Sequence, residues 1–285
     1  MPSPADFGFN DEKLLNHPTV YAPELFKGKR VLVSGAGSGL GKATAALFGR
    51  LGAELIVCGR KPEKLAEAVE FLKRTGATVH SDVLNIREPD NVGRFMDRVF
   101  GEWGGMDVLI NNAGGQFAQA AIDFTVKGWN AVVDTNLNGT WYMMQNAARH
   151  WRDRKEPGCI VNITATIARG LPGMAHSTGA RAGVIYASKT VAVEWAPLNI
   201  RVNCLGVGAV ESSGFAQYTE EGRRTFSESN PMRRPGDVWD VAEACVYLAA
   251  PSGKFITGEL LTIDGGQQMW GDFWSSGRPD YFKIA

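Results

Sequence analysis

The sequence predicts an α/β fold: a single doubly wound parallel sheet of about seven strands with helices on both faces. Short, continuously apolar runs rich in β-branched residues alternate with segments of helix length. This alternation is typical of parallel strands that are buried on both faces. Because the crossovers between parallel strands are right-handed, successive strands and helices wind into one sheet.

The predicted strands follow one another along the chain with helical patterns between them. They occupy residues 30–33, 54–57, 78–80, 108–110, 159–163, 200–203 and 260–263. The clearest helical pattern, residues 42–48, comes directly after the first strand and its glycine-rich turn. We therefore expect one domain over residues 29–285, with no boundary inside it.

Three segments depart from this rhythm. Residues 1–28 are polar, contain several prolines and show no sustained period, so we predict an N-terminal arm. Residues 206–236 form a long insertion after a late strand, where a substrate lid is expected because ligands bind beyond the carboxyl ends of the strands. The tail is rich in aromatic residues and is expected to pack on a neighbouring subunit or close the substrate pocket; these are Trp270, Phe273, Trp274, Tyr281 and Phe282.

Charge and composition limit the classes of partner. The 30 basic and 30 acidic side chains cancel, which gives no global field that would attract nucleic acid or an anionic membrane. Four cysteines are scattered without metal-ligand spacing, and no apolar run approaches the roughly 20 residues of a membrane helix. We expect a cytoplasmic protein that acts on a small molecule and binds no metal.

The first strand runs into a glycine-rich turn that opens a helix, Ser34-Gly35-Ala36-Gly37-Ser38-Gly39-Leu40-Gly41. Glycines at such a turn let the backbone approach a pyrophosphate, whose charge lies on the free N–H groups and positive end of the helix. The predicted contacts with a dinucleotide in this turn are Gly35, Ser38, Gly39, Leu40 and Gly41.

The second strand ends in Cys58 and Gly59, where an acidic residue would hold the ribose 2′-hydroxyl of NAD. The neutral tip is followed by Arg60 and Lys61, and a guanidinium can bind a 2′-phosphate bidentately. We therefore predict NADPH in preference to NADH; the alternative is that both cations are only solvated charges before a helix. Asp82, with Val83 beside it, is predicted to meet the adenine amino group.

Several further motifs lie in order along the chain: Asn111-Asn112-Ala113-Gly114, Thr135-Asn136-Leu137-Asn138-Gly139, Ile200-Arg201-Val202-Asn203 and Ile263-Asp264-Gly265-Gly266. With the glycine-rich turn, they resemble the short-chain dehydrogenase/reductase family from about residue 29 to residue 266. The resemblance implies a Rossmann-type domain, a nicotinamide cofactor contacted by Asn112, Ala113 and Gly114, and often a homotetramer. It also implies an active-site Asn, Ser, Tyr and Lys.

Of these four active-site residues, only the Asn is present at the position expected from the family, as Asn136. The Tyr position holds Ser177, the Lys position holds Arg181, and the strict Ser position falls near Ala165, between two threonines. Tyr186 precedes Lys189 by three residues instead of four, so the pair would not share the required helix face, and we expect Tyr186 to be a packing residue.

The replacements favour one type of reaction over another. A ketone leaves an alkoxide that needs a proton donor, and neither Ser177 nor Arg181 is a capable acid. Reduction of a double bond conjugated to a thioester instead places charge on the thioester oxygen as an enolate. Ser177 and Arg181 are suited to an oxyanion site for that charge, with Arg181 also able to bind the nicotinamide ribose.

A narrower resemblance agrees with this preference. Asn112–Phe117, Lys127-Gly128-Trp129 and residues 176–183 resemble the subgroup of peroxisomal trans-2-enoyl-CoA reductase and 2,4-dienoyl-CoA reductases. We predict an NADPH-dependent enoyl-CoA reductase in which Asn136 supports the site and Thr166 orients the substrate oxygen. The α-carbon takes its proton from water or from His176. Two alternatives remain: an alcohol dehydrogenase or carbonyl reductase with an atypical site, suggested by a similarity to terpenoid dehydrogenases, and a catalytically silent NADPH-binding protein.

Overall fold

The computed structural model describes residues 3–270. In chain order its helices and strands are α1 (Asp11–Asn16), β1 (Arg30–Ser34), α2 (Gly39–Arg50), β2 (Glu54–Gly59), α3 (Pro62–Lys73), β3 (Val79–Val83), α4 (Pro89–Gly101), β4 (Val108–Asn111), α5 (Val126–Val133), α6 (Thr140–Arg154), β5 (Gly158–Ala165), α7 (Ala175–Trp195), β6 (Ile200–Val207), β7 (Val210–Glu211), α8 (Glu220–Arg224), β8 (Gly236–Asp237), α9 (Val238–Ala249) and β9 (Leu260–Ile263).

The main sheet has seven strands in the order β3-β2-β1-β4-β5-β6-β9. Every neighbouring pair is parallel, which confirms the predicted doubly wound Rossmann-type fold. Strand order reverses between β1 and β4, so the loops after these two strands diverge and leave a crevice at the carboxyl edge of the sheet. The cofactor motifs found in the sequence lie at this crevice.

Two apolar layers cover the two faces of the sheet. Along β1, Val31 and Val33 pack in the layer beneath α2 and α9, whereas Leu32 packs in the opposite layer with residues of α4 and α6. This separation follows from the alternation of side chains along a strand. All residues of β1 after Arg30 are buried, which explains its continuous apolar sequence.

The segment that precedes β1 packs on the domain. Phe26 is 3% exposed and its ring meets Phe48 of α2 edge-on, with ring centroids 4.8 Å apart. The Tyr21 hydroxyl donates a hydrogen bond to the carbonyl oxygen of Glu243 at 2.9 Å, and the Trp239 indole donates to that of Pro18 at 3.0 Å. The predicted arm therefore forms part of the layer built on α2 and α9.

The insertion after β6 folds back on itself. β7 and β8 form a separate two-stranded parallel pair at its two ends, and between them the chain passes through short helical turns and α8. Asn230 is buried there, and its amide donates to the carbonyl oxygen of Arg234 at 2.9 Å. This insertion lies after β6, above the carboxyl edge where the crevice opens.

Over residues 3–270, no helix is long and apolar enough to cross a membrane, and no group of His, Cys, Asp and Glu side chains could hold a metal ion. Of the predicted aromatic tail, only Trp270 is described; the Arg233 guanidinium lies 4.9 Å from its ring centroid. Phe273, Trp274, Tyr281 and Phe282 lie outside the described residues, so the role expected of them stays a prediction.

Candidate active site

A cavity of about 300 Å³ opens at the crevice between β1 and β4. Part of its wall comes from the insertion, at Ser212, Ser213 and Gly214. The predicted cofactor residues that line it are Gly35, Ser38, Gly39, Leu40, Arg60, Asn112, Ala113 and Gly114. Those that lie outside its lining are Gly41, Lys61, Asp82, Val83 and Arg181.

The glycine-rich turn has the close approaches that exclude side chains. Gly35 has a φ of +68°, and a Cβ there would lie 2.9 Å from the Cα of Ala113. Gly39 has a φ of +54°, and a Cβ there would lie 3.2 Å from the Ser213 hydroxyl. A Cβ on Gly41 would lie 2.5 Å from the carbonyl oxygen of Gly35, so this glycine lets α2 pack directly on the turn. The first two glycines keep the cavity open, and the third fixes the helix.

The amino end of α2 has free hydrogen-bond donors. Ser38 precedes the helix but its side chain makes no capping hydrogen bond, so the first-turn N–H groups have no side-chain acceptor. These donors and the helix dipole suit a pyrophosphate group in the adjacent cavity. The donor set and the space at the glycines thus fit a nicotinamide dinucleotide.

Asn112 braces the turn against the next strand. Its amide nitrogen donates to the carbonyl oxygens of Ser34 and Gly35, at 2.9 and 3.2 Å. The Ser34 hydroxyl in turn accepts hydrogen bonds from the backbone N–H groups of Asn112 and Ala113. Asn112 therefore joins β4 to the glycine-rich turn, and its side-chain bonds lie within the protein.

At the end of β2, Arg60 lines the cavity and makes no ion pair with another residue of the described chain. Lys61 is exposed and precedes α3. The Asp82 carboxylate accepts a hydrogen bond from Arg98 at 3.0 Å, and Val83 is about half exposed. Arg60 is thus the cation placed for a cofactor phosphate, whereas Asp82 is already paired with a guanidinium.

Ser177 lies on the first turns of α7 at the centre of a hydrogen-bonded cluster. Its hydroxyl is buried and donates to the Gln116 side-chain carbonyl at 2.7 Å. The same oxygen accepts from the Arg181 Nε at 3.3 Å and from the Asn136 amide at 3.5 Å. Since Arg181 comes one helical turn after Ser177, the two side chains share a face of α7.

Arg181 is held on two sides and free on a third. Besides Ser177, its guanidinium donates from Nη1 to the carbonyl oxygen of Ile163 at 3.0 Å. Nη2 makes no hydrogen bond to a described residue and lies 3.4 Å from where a Cβ of Gly114 would stand. Burial lowers the Arg181 pKa to about 10, so the group remains a cation at neutral pH. Gly114 therefore leaves room beside an available cationic donor.

Asn136 lies in a π-helical segment, Asp134–Gly139, between α5 and α6. Its amide oxygen accepts from the backbone N–H of Gly115 and its nitrogen donates to the Gly115 carbonyl, both at 2.9 Å. Such π turns are frequent at functional sites. The wider turn here carries the side chain that holds the loop after β4 against Ser177.

His176 is enclosed away from this cluster. It is fully buried, with its ring centroid 4.6 Å from that of Phe117 and 4.3 Å from that of Phe124. Nδ1 accepts from the Ser177 backbone N–H at 2.7 Å, and the buried Nε2 has no partner among the described residues. Burial lowers the His176 pKa, which favours the neutral ring. His176 is therefore packed between two aromatic rings, with its unpartnered nitrogen buried.

The remaining predicted side chains are placed apart from Ser177. The Thr166 hydroxyl points to the carbonyl oxygen of Gly206 and the carboxylate of Asp264, at 3.4 and 3.3 Å. Tyr186 is 70% exposed on α7, so the expectation that it packs within the domain is wrong for the described chain.

Two polar residues join the cluster that sequence reasoning did not select. Gln116 bonds to Ser177 through its oxygen, and its nitrogen donates to the Tyr218 hydroxyl at 3.4 Å. Gln116 lies in the motif Asn112–Phe117, for which the sequence analysis predicted no role of this residue. Tyr218 lies in the insertion, where no periodicity indicates which way a side chain faces, so only the fold brings it here.

Comparisons with known proteins agree with the arrangement. A family model described as Enoyl-(Acyl carrier protein) reductase matches residues 35–268. A probable 2,4-dienoyl-CoA reductase [(2E)-enoyl-CoA-producing] of Bacillus subtilis (strain 168) is 35% identical over 246 residues, 85% of this chain and 97% of that protein. Glucose 1-dehydrogenase of Gluconobacter oxydans (strain 621H) is 32% identical over 262 residues, 88% of this chain and 97% of that protein.

A solved structure shows the same architecture. It is described as citronellol catabolism dehydrogenase (AtuB) of Pseudomonas aeruginosa PAO1, and it superposes with a TM-score of 0.79 at 33% identity. The match covers 88% of this chain and 99% of that one. The similarity of fold therefore extends over most of both chains.

Proposed function

The chain belongs to the short-chain dehydrogenase/reductase family of oxidoreductases, which use a nicotinamide cofactor, and from this premise we propose that it is an NADPH-dependent reductase of α,β-unsaturated acyl thioesters. The observation that carries the proposal is the free Nη2 of Arg181 beside Gly114. It offers a cationic donor beside Gly114, which lines the cavity, and the other two guanidinium nitrogens are held by Ser177 and the Ile163 carbonyl.

The proposed chemistry needs an oxyanion site more than a strong acid. A nicotinamide cofactor supplies a hydride to the β-carbon of the substrate. Negative charge then develops on the thioester oxygen, where a preorganised cationic donor stabilises it most. In the proposal Arg181 provides that donor, Ser177 holds the guanidinium in place, and Asn136 keeps the loop after β4 in register with both.

Donors that are fixed before the reaction need no reorganisation when the charge appears. Arg181 is restrained by the Ile163 carbonyl and by Ser177, whose own hydroxyl is engaged by Gln116. A guanidinium arranged in this way can donate to the substrate oxygen or to the ribose of the cofactor. Removal of one such oxyanion donor typically lowers kcat by about 10²–10³-fold.

The preference for NADPH rests on Arg60. It lies at the cavity next to the end of β2, whose last two residues, Cys58 and Gly59, carry no carboxylate. We expect Arg60→Ala to raise the dissociation constant for NADPH about 10–100-fold, because a hydrogen bond to a charged group contributes about 1.5–3 kcal/mol. NADH binding should change little. Lys73→Ala, at the far end of α3, is the matched control, and equal effects of Arg60→Ala on both cofactors would contradict the preference.

A second candidate is an alcohol dehydrogenase or carbonyl reductase. It is favoured by relatives named glucose 1-dehydrogenase and citronellol catabolism dehydrogenase. It would require an acid for the alkoxide, which neither Ser177 nor Arg181 supplies.

The deciding experiment compares the two reactions on the purified full chain. We expect NADPH oxidation, followed by absorbance, with 2-enoyl-CoA or 2,4-dienoyl-CoA substrates of several chain lengths. Inert thioesters together with alcohol-dependent reduction of NADP would replace the proposal by the second candidate. Tight NADPH binding without turnover on either set would favour the catalytically silent alternative.

A further inference from the structure

Tyr218 places a phenol at the cluster from the insertion. It follows a short helical turn, Ser213–Gln217, and precedes α8. Its side chain is half-buried, and its hydroxyl oxygen accepts a hydrogen bond from the Gln116 amide nitrogen at 3.4 Å. As a donor, the hydroxyl has no acceptor among the described residues. Its proton is therefore free to point at a ligand.

The phenol is connected to the proposed oxyanion site. Gln116 accepts from the Ser177 hydroxyl, and that hydroxyl accepts from Arg181. The Tyr218 phenol is close enough to Arg181 to raise the pKa of the guanidinium, against the larger lowering by burial. Tyr218 is thus connected through Gln116 and Ser177 to the cation that would hold the substrate oxygen.

Aromatic packing restrains Tyr218. Its ring meets that of Phe226 edge-on at 5.2 Å and that of Phe215 edge-on at 6.3 Å between centroids. Phe215 is buried and contacts Phe7 of the N-terminal segment at 6.2 Å. The phenol is therefore carried by a packed cluster of rings, and this cluster leaves its hydroxyl directed to Gln116.

We propose that Tyr218 is the catalytic residue that protonates the substrate oxygen, in place of the tyrosine missing from α7. This assignment rests on the proposed function and names the acid for it. The phenol comes from the insertion after β6, so its position in the sequence differs from that expected of the family. His176, the donor considered from the sequence, has its free nitrogen buried among aromatic rings.

The proposed step transfers a proton from Tyr218 to the substrate oxygen. The β-carbon gains a hydride with its two electrons, the carbon–carbon π pair becomes the C=C bond of the enolate, and the carbonyl π pair moves to oxygen. The O–H bond of Tyr218 breaks as an O–H bond forms on the substrate, and Arg181 stabilises the phenolate until solvent returns its proton. The enol then loses its O–H proton to water while the α-carbon takes a proton from water, which gives the saturated thioester.

The test compares Tyr218→Phe with Tyr186→Phe in the full-length protein. General acid catalysis contributes about 10²–10⁴-fold. With 2-enoyl-CoA and NADPH, we expect Tyr218→Phe to lower kcat at least about 100-fold while the dissociation constant for NADPH stays within about twofold. Tyr186→Phe removes an exposed hydroxyl remote from the cluster and should leave kcat unchanged. Wild-type kcat in Tyr218→Phe would overturn the assignment.

A binding measurement separates contact with substrate from folding effects. Calorimetric titration with a saturated acyl-CoA, in the absence of cofactor, should show about 2–10-fold weaker binding to Tyr218→Phe, the loss of one hydrogen bond. Unchanged thioester binding together with unchanged kcat would place Tyr218 outside the reaction.

Failure of the proposed function has a different signature. If the wild type does not reduce enoyl thioesters but reduces ketones, the function proposed above is wrong. Assays of the same two variants on the ketone then test whether Tyr218 is the proton donor, since protonation of an alkoxide needs the same phenol. A wild type inactive on both sets of substrates overturns both proposals.

Discussion

In the proposed site, Arg181 combines a structural and a chemical role through separate nitrogens of its guanidinium. Nε and Nη1 are used by Ser177 and the Ile163 carbonyl, and Nη2 remains available. A lysine at this position has a single ammonium group and cannot reproduce the planar fork of N–H donors of the guanidinium. The residue type therefore matters for geometry as much as for charge.

We expect Arg181→Lys to lower kcat/KM about 10–100-fold, because the ammonium cannot hold two protein acceptors and also reach the substrate oxygen. Steady-state kinetics measures this effect. Arg149→Lys on the exposed side of α6 is the matched control. Unchanged kcat/KM in Arg181→Lys would show that the fork is not used.

The burial of His176 should make the free energy of unfolding depend on pH. Its pKa is lowered by burial, so below its ordinary value of 6.5 the unfolded chain binds more protons than the folded one. The free energy of unfolding should thus fall on acidification from pH 7 to pH 5. His176→Asn removes the titrating ring and should lose less stability over that interval, as denaturant melts can measure. The partly exposed His150→Asn is the control, and equal losses in His176→Asn and wild type would contradict the prediction.

At the scale of an element, α2 depends on a glycine for its approach to the turn. We expect Gly41→Ala to lower the free energy of unfolding by about 1–3 kcal/mol and to weaken NADPH binding, since the added methyl collides with the Gly35 carbonyl and displaces the helix. Gly37→Ala is the matched control, because its methyl would lie 3.5 Å from Lys64, an ordinary contact. If the two variants have equal stability, the close packing at Gly41 is not required.

At the scale of the whole molecule, the N-terminal segment is tied to the core. We expect Phe26→Ala to cost about 3–5 kcal/mol, since it empties a buried site against Phe48. Val20→Ala, on the same segment but 85% exposed, should change the free energy of unfolding by less than about 0.5 kcal/mol. Chemical denaturation measures both, and a small effect of Phe26→Ala would show that the segment does not contribute to the folded core.

The assembly and location of the protein remain proposals. The family resemblance implies a homotetramer, and sedimentation equilibrium on the full chain would measure its mass. We likewise propose a cytoplasmic location, which fractionation of the producing cells would test.

Local patterns were enough to predict the sheet. Each predicted strand overlaps an observed strand, and central strands such as β1 were recognisable because a strand buried on both faces must be continuously apolar. The cofactor turn was predictable for a similar reason: its glycines and helix start lie within eight consecutive residues, 34–41, so their geometry is mostly local. The sequence by itself thus determined the fold class and the position of the glycine-rich turn at the edge of the sheet.

The tertiary structure decided which polar groups meet. Gln116 and Tyr218 are 102 residues apart, and an insertion without periodicity carries no local sign of where its phenol will face. His176 stood next to the expected proton-donor position, yet the rings of Phe117 and Phe124 enclose it. Contacts between distant segments depend on how whole layers pack, and in this protein they selected the candidate acid that the sequence motif lacks.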